Sequence, residues 1–186
     1  ELATGQSTDS YNAENRKMTA MEVRNIREQL MQTAGIRHGN SYVFSGHQSD
    51  QTPFQVDMTG QVVFQGDWGE VPLLVGEDAK IDLSTPGGAV FSGMIDAADV
   101  PPSGTDIFAV IDDLVAALES NDGDGIRSQL PRLDDALNQV LDARADVGSK
   151  LNRLERTDNY WETFRLDISE RLSMAEDADL AETLAD

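Results

Sequence analysis

The chain has 186 residues, enough for one medium domain or two small ones, and 39% of them are hydrophobic, as expected of a protein that buries a core. Its 34 acidic and 14 basic residues give a net charge of −20, so its surface should repel nucleic acid and anionic lipid. Cysteine is absent, which excludes disulfides and cysteine-type zinc sites, and no run approaches the roughly 20 apolar residues of a membrane helix.

A first amphipathic helix is predicted near the N-terminus. Good N-cap residues stand at positions 7–10, and apolar residues then recur at helical spacing until Gly35 and the Gly39-Asn40 pair. The apolar positions of this pattern are Val23, Ile26, Leu30 and Met31. We therefore expect one helix over residues 10–37.

Short β-prone runs replace the helical pattern from residue 41. They cover residues 41–44, 61–64 and 71–75 and are separated by turn-rich segments. Pro72 predicts that its strand is an edge, and Pro101-Pro102 marks a loop and a boundary. Residues 41–102 are therefore predicted to form an inserted, small β-rich domain.

Helical periodicity resumes at Asp106 and pauses at the acidic turn 121–125. The predicted apolar face of this short helix consists of Ile107, Val110, Ile111, Leu114 and Leu118. Residues 1–40 and 103–186 are thus predicted to build one discontinuous helical rod. The predicted fold is α+β, an elongated helical bundle or coiled-coil rod with an inserted β-rich domain.

The C-terminal third predicts a long helix with a coiled-coil seam, because apolar residues recur alternately three and four positions apart. A proline costs about 3 kcal/mol inside a helix, so Pro131 is expected near its start, and the helix should run from about Arg132 to Ala178, roughly 70 Å. The residues predicted to form an assembly interface on it are Leu137, Val140, Val147, Leu151, Leu154, Trp161, Phe164, Ile168 and Leu172.

Two expectations follow for the packing of this seam. Val23, Ile26 and Leu30 of the first helix should pack against it near Leu137, Val140 and Val147 or Leu151. Nothing C-terminal in the chain can cover the stripe from Trp161 to Leu172, so residues 157–186 should be frayed or packed on another molecule.

No catalytic, cofactor or metal site is predicted. His38 and His47 flank a turn, and neither Ser45 nor Asp50 completes a catalytic triad in a nucleophile-elbow pattern. The acidic turn fails as a calcium loop because Pro131 would occupy the chelating position 12, which leaves a helix-helix turn capped by aspartates. Weak calcium binding at Asp122 and Asp124 is left open.

Several motifs nevertheless match one family in order along nearly the whole chain. They are Gly39-Asn-Ser-Tyr-Val-Phe-Ser-Gly46 with Asp50-Gln-Thr-Pro-Phe54, then Phe64-Gln-Gly-Asp67, then Ala143-Arg-Ala-Asp-Val-Gly-Ser-Lys-Leu-Asn-Arg-Leu-Glu155, and Ala175-Glu-Asp-Ala-Asp-Leu-Ala-Glu182. In these motifs the chain resembles the flagellar hook-associated protein 3 family, within the flagellin-like proteins, and the rod resembles the D1 domain of flagellin.

The resemblance implies a structural subunit of the bacterial flagellum that joins the hook to the filament, and not an enzyme. Its implied partners are other copies in a junction ring, hook-associated protein 1, flagellin and a chaperone of the type III export apparatus, with neither nucleic acid nor membrane. It would lie outside the cell. Family members have further helices before Glu1 and after Asp186, so we expect these residues to be a core that does not polymerise alone.

Two other functions are left open. A short flagellin shares the long-helix motifs, but the compact motifs at residues 42–46 and 64–67 favour the junction protein. An acidic, cation-dependent adhesion module rests only on the acidic loops, and calorimetric titration with calcium would distinguish it from a polymer subunit.

Overall fold

The computed structural model describes residues 13–76, 79–82, 84–100 and 102–183. Within these ranges the chain folds into three α-helices, six short strands and one π-helical turn. The helices are α1 (Ala13–Ala34), α2 (Ile107–Glu119) and α3 (Gly123–Thr183). The observed fold confirms the predicted α+β class, a helical rod with a small β part.

Helix α1 agrees with the predicted first helix, except that residues 10–12 lie outside the described ranges and the helix ends at Ala34 instead of residue 37. Its buried residues include Ala20, Val23 and Ala34 on the side that packs against α2. Arg16 is 4% exposed, and its guanidinium donates to the backbone oxygen of Asn121 at 3.1 Å and to its side-chain oxygen at 2.8 Å. This contact ties the start of α1 to the turn that follows α2.

Helix α2 is the most deeply buried element. Asp106 caps it, because its carboxylate accepts the backbone N–H of Ala109 at 3.0 Å. The predicted apolar face is buried as expected, and Phe108, Val115 and Ala117 are buried as well. The helix is buried on several sides because α1 and α3 both pack against it.

Helix α3 has 61 residues and begins at Gly123, so the prediction that it starts near Arg132 is wrong. At 1.5 Å per residue it is about 90 Å long. Pro131 lies inside it, and the preceding turns stay helical because Ile126 is fully buried in the core. Asn121 has a φ of 57°, and the side chain of Asp122 accepts the Asp124 N–H at 3.1 Å, which confirms the predicted capped turn.

The β region consists of three antiparallel two-stranded hairpins. They pair β1 (Arg37–His38) with β2 (Ser41–Tyr42), β3 (Phe54–Val56) with β4 (Val62–Phe64), and β5 (Pro72–Leu74) with β6 (Lys80–Asp82). The predicted runs contain β2, β4 and β5, whereas β1, β3 and β6 were not predicted. Pro72 lies on an edge, as predicted, since every strand of a two-stranded sheet is an edge.

An aromatic cluster connects the β region to the helices. The ring of Phe54 lies 5.2 Å from Phe64, 5.5 Å from Phe91 and 5.5 Å from Phe108. Phe91 belongs to the π-helical turn Gly88–Ser92, and Phe108 belongs to α2. The predicted rod and inserted domain thus share one buried cluster, and the boundary between them stays a prediction.

Candidate functional site

The residues predicted to form an assembly interface all lie on α3, and we call them the apolar face. Leu137, at 58%, and Leu172, at 57%, are the most exposed of them, and Leu154 is half-buried. The others are also exposed: Val140, Val147, Leu151, Trp161, Phe164 and Ile168. A soluble chain rarely exposes so continuous an apolar row, which makes this face the strongest candidate for an interaction surface.

The prediction that α1 packs on the apolar face is wrong for most of its length. Helix α1 packs chiefly against α2, because α2 carries the broadest buried apolar surface and lies between the other two helices. Val23 joins the core, whereas Ile26 is 44% exposed. Only Leu30 of the three predicted residues shares a groove with α3.

This groove has a volume of about 380 Å³ and lies where the end of α1 approaches α3. Its lining is almost entirely apolar and includes Leu30, Phe44, Phe91, Val140 and Val147. Two residues of the apolar face therefore form one wall of it. The groove extends the exposed surface of α3 towards α1.

Farther along α3, the hairpin β5–β6 lies against the helix. The indole N–H of Trp161 donates to the backbone oxygen of Val75 at 3.0 Å, and the Arg153 guanidinium donates to that of Lys80 at 3.2 Å. The expectation concerned only residues C-terminal to the stripe, and the contact at Trp161 comes instead from a hairpin that precedes α3 in the chain. Helix α3 continues to Thr183 and residues 184–186 lie outside the described ranges, so the expectation that residues 157–186 are frayed or packed on another molecule stays a prediction.

Past the contact at Trp161, the described side chains of α3 are exposed as far as residue 176. Tyr160, Trp161 and Phe164 form a cluster with ring centroids 5.5 to 6.2 Å apart. All side chains from residue 158 to residue 176 are exposed. This distal part of the apolar face is available to a partner.

The motif residues around Ser45 and Asp67 hold the backbone together and do not form a catalytic site. Gly46 has a φ of 67°, and a Cβ at this position would overlap the backbone oxygen of Asp67. The hydroxyl of Ser45, which is fully buried, donates to the backbone oxygen of Gln51 at 2.7 Å. Ser45 is therefore not available as a nucleophile.

The side-chain carboxylate of Asp67 stabilises the same contact between Gly46 and Asp67. It accepts the backbone N–H groups of His47 at 2.9 Å and Gly69 at 2.7 Å. The bond from His47 contributes most to holding the pKa of Asp67 below its ordinary value of 3.8. The Nε2 of His47 lies 3.0 Å from the backbone oxygen of Glu70, so this ring has a structural contact.

The side chain of Asp122 in the acidic turn caps the start of α3. Weak calcium binding at Asp122 and Asp124 is left open. Among the described residues, no three or more His, Cys, Asp or Glu side chains are grouped in a way that could hold a metal ion. In the same ranges, no helix combines the length and apolar character needed to cross a membrane.

Gln139 is a structural residue that the sequence did not reveal. Its side-chain amide donates to the backbone oxygens of Val90 at 2.9 Å and Thr105 at 3.0 Å and accepts the Thr105 N–H at 2.9 Å. It thereby fastens the π-helical turn and the start of α2 to α3. A single glutamine on a polar helix face carries no sequence signal for this role.

Comparison with known proteins shows similarity to flagellar hook-associated proteins, although no family model matches the chain. Flagellar hook-associated protein 3 of Escherichia coli K12 is 26% identical over 194 residues, which cover 96% of this chain. The same match covers 60% of the relative, so the chain spans less than two thirds of that protein's length.

Solved structures show the same fold. FlgL of Xanthomonas campestris has a TM-score of 0.77 at 18% identity, covering 92% of this chain and 86% of that one. The flagellar junction protein FlgL of Legionella pneumophila has a TM-score of 0.72 at 17% identity, with 90% and 83% covered. The predicted resemblance to flagellar hook-associated protein 3 is therefore confirmed by sequence along almost the whole chain, and the fold is similar to that of solved FlgL structures.

Proposed function

We propose that this chain belongs to a structural subunit of the bacterial flagellum that connects the hook to the flagellin filament. The observation that carries the proposal is the similarity to hook-associated protein 3 over 96% of the chain. The likeness to a protein described as a flagellar junction protein supports it. The chemistry of the molecule agrees with a structural role, since its motif residues make packing and backbone contacts.

The apolar face of α3 is the proposed assembly surface. Its residues follow a three-four spacing, which is the pattern that lets one helix pack along another. Burial of each large side chain would contribute about 1.5–3 kcal/mol. We propose that helices from the remainder of the polypeptide and from neighbouring subunits cover this face.

The proposed partners follow from the same relationship. Copies of the subunit would form a ring at the junction, with hook-associated protein 1 on one side and flagellin on the other. The protein would lie outside the cell after export by the flagellar type III apparatus, with help from a cytoplasmic chaperone.

A short flagellin is the nearest alternative, and the names of the relatives and solved structures favour the junction protein. The close contact between Gly46 and Asp67 also gives the compact motifs at residues 42–46 and 64–67 a defined structural role. The cation-dependent adhesion module has less support, because Asp122 serves as a helix cap.

The proposal is tested in the source bacterium by deleting the complete gene and viewing the cells by electron microscopy. We expect hooks without filaments and free flagellin in the medium, and the wild-type gene should restore filaments. Normal filaments in the deletion strain would contradict the junction role.

The assembly surface is tested by complementing the same strain with matched leucine variants. Leu172→Asp places a charge on the apolar face, and Leu166→Asp places the same charge at a position 67% exposed on the other side of α3. We expect Leu166→Asp to restore filaments and Leu172→Asp to fail, with both proteins exported equally. Full restoration by Leu172→Asp would contradict this interface while leaving the junction role intact.

A further inference from the structure

We propose that the hairpin β5–β6 is a clasp that holds the middle of α3 in place and joins it to the hairpin as one cooperative unit. The inference rests on contacts within the chain and does not depend on the proposed function. Three helix side chains donate to backbone oxygens around the hairpin, namely Trp161 to Val75 at 3.0 Å, Arg153 to Lys80 at 3.2 Å and Lys150 to Ser84 at 3.5 Å.

The three donors are placed on one side of the helix. Arg153 is three residues after Lys150, and Trp161 is eleven residues after it, close to three full turns. All three therefore lie within a sector of about 80° and span about 16 Å of the helix. The hairpin runs along this length and is not attached at a single point.

A small buried contact accompanies these hydrogen bonds. Ile81 is 1% exposed, although its cross-strand partner Leu73 is 40% exposed. Strand β6, which carries Ile81, packs against α3, and Ile81 lies outside the buried cluster shared by the three helices. The clasp thus has its own apolar anchor, separate from the main core.

The position of the clasp gives it a mechanical role. It contacts α3 beyond the region where α2 packs, and the ring cluster of Tyr160, Trp161 and Phe164 begins at its end. A cleft of about 480 Å³ lies between residues 75, 76 and 79 next to the hairpin strands and Tyr160 and Trp161 of α3. The hairpin therefore contacts the apolar face at Trp161, and Phe164, Ile168 and Leu172 beyond it stay exposed.

Hydrogen exchange of the purified chain tests the clasp. The double variant Trp161→Phe with Arg153→Met keeps an aromatic ring and an unbranched stem at these positions but removes both donors. We expect amide exchange in residues 155–172 to become about tenfold faster, because two side-chain hydrogen bonds are lost. Exchange in residues 107–119 should not change.

The matched control is Tyr160→Phe with Arg156→Met, which alters the same turns of α3 without removing a donor to the hairpin. It should leave exchange in residues 155–172 within about twofold of the wild type. Ile81→Ala acts from the hairpin side and should reproduce the effect of the double variant, and it decides the matter if the double variant does not fold. Faster exchange confined to residues 72–82 in both test variants would overturn the proposal, since the helix would then be stable without the hairpin.

Discussion

The first and second halves of α3 are continuous in backbone but differ in what holds them. In the first half, Ile126 is fully buried and Ala136 is 4% exposed, and both belong to the core with α2. In the second half, every side chain from residue 158 to residue 176 is exposed. One helix can therefore be an ordinary part of a folded core at one end and a bare interaction surface at the other.

The two halves of α3 therefore differ in the interactions that stabilise them. Helices gain most of their stability from packing an apolar face, and the first half has this support. The second half has the ion pair Arg171–Asp167 within the helix, and an exposed pair of this kind contributes only about 0.3–0.5 kcal/mol. The proposed clasp and a proposed partner on the apolar face would contribute more.

The largest expected effect comes from the same substitution made in each region. Leu118 is fully buried in α2, so Leu118→Ala should lower the free energy of unfolding by about 3–4 kcal/mol, by losing apolar burial and leaving a cavity. Leu166 on the distal helix is 67% exposed, and Leu166→Ala should change it by less than about 0.5 kcal/mol. Urea unfolding measures both. Equal losses would show that the distal helix shares the core and would end the comparison.

A smaller effect is expected at the joint between the core and α3. Gln139→Leu removes three hydrogen bonds to the backbone at Val90 and Thr105 and should cost about 2 kcal/mol of unfolding free energy. Asn138→Leu, at the exposed neighbouring position, serves as the control and should be near neutral. A loss in Gln139→Leu no greater than in the control would mean that the amide does not fasten α2 to α3.

The smallest effect concerns acid stability in the β region. Because hydrogen bonds lower the folded-state pKa of Asp67 below 3.8, its contribution is present above that pH and is lost as the pH falls through the lowered value. Asp67→Asn keeps an acceptor oxygen but loses the charge. It should be less stable than wild type by under about 1 kcal/mol at neutral pH.

Unfolding from pH 7 to pH 2 measures this difference, which should vanish towards the acid end. Asp50→Asn removes the same charge from an exposed position and controls for the net charge of −20. A difference between wild type and Asp67→Asn that is constant across the range would rule out the charge as its source.

The predictable parts of the fold are those where one physical requirement repeats along the sequence. The α2 face from Ile107 to Leu118 and the three-four spacing in α3 are periodic, so both helices could be predicted. The start of α3 was predicted too late in the sequence, near Arg132. The burial of Ile126 keeps the turns before Pro131 helical, although proline prefers the first turn of a helix. The packing of α1 on α2 could not be predicted, since periodicity shows which residues are apolar but not which helix they contact.

The candidate site was predictable to a similar degree. The residues of the apolar face were recognised from spacing, and their exposure agrees with a surface that awaits a partner. The contact of Trp161 with Val75 was not predicted, because it joins residues 86 positions apart through a backbone oxygen that no side chain reveals. A residue of any type can accept a hydrogen bond through its backbone oxygen, so such contacts cannot be predicted from the residue type.

The same property has a consequence for how this chain can change over evolutionary time. Every residue of the hairpin offers a carbonyl oxygen, so substitutions at Val75 and Lys80 can accumulate while the acceptors for Trp161 and Arg153 stay in place. The donors on α3 have no such freedom, because only their side chains reach the hairpin. Substitutions should therefore accumulate faster at Val75 and Lys80 than at Trp161 and Arg153, one way in which a fold can persist at 18% identity.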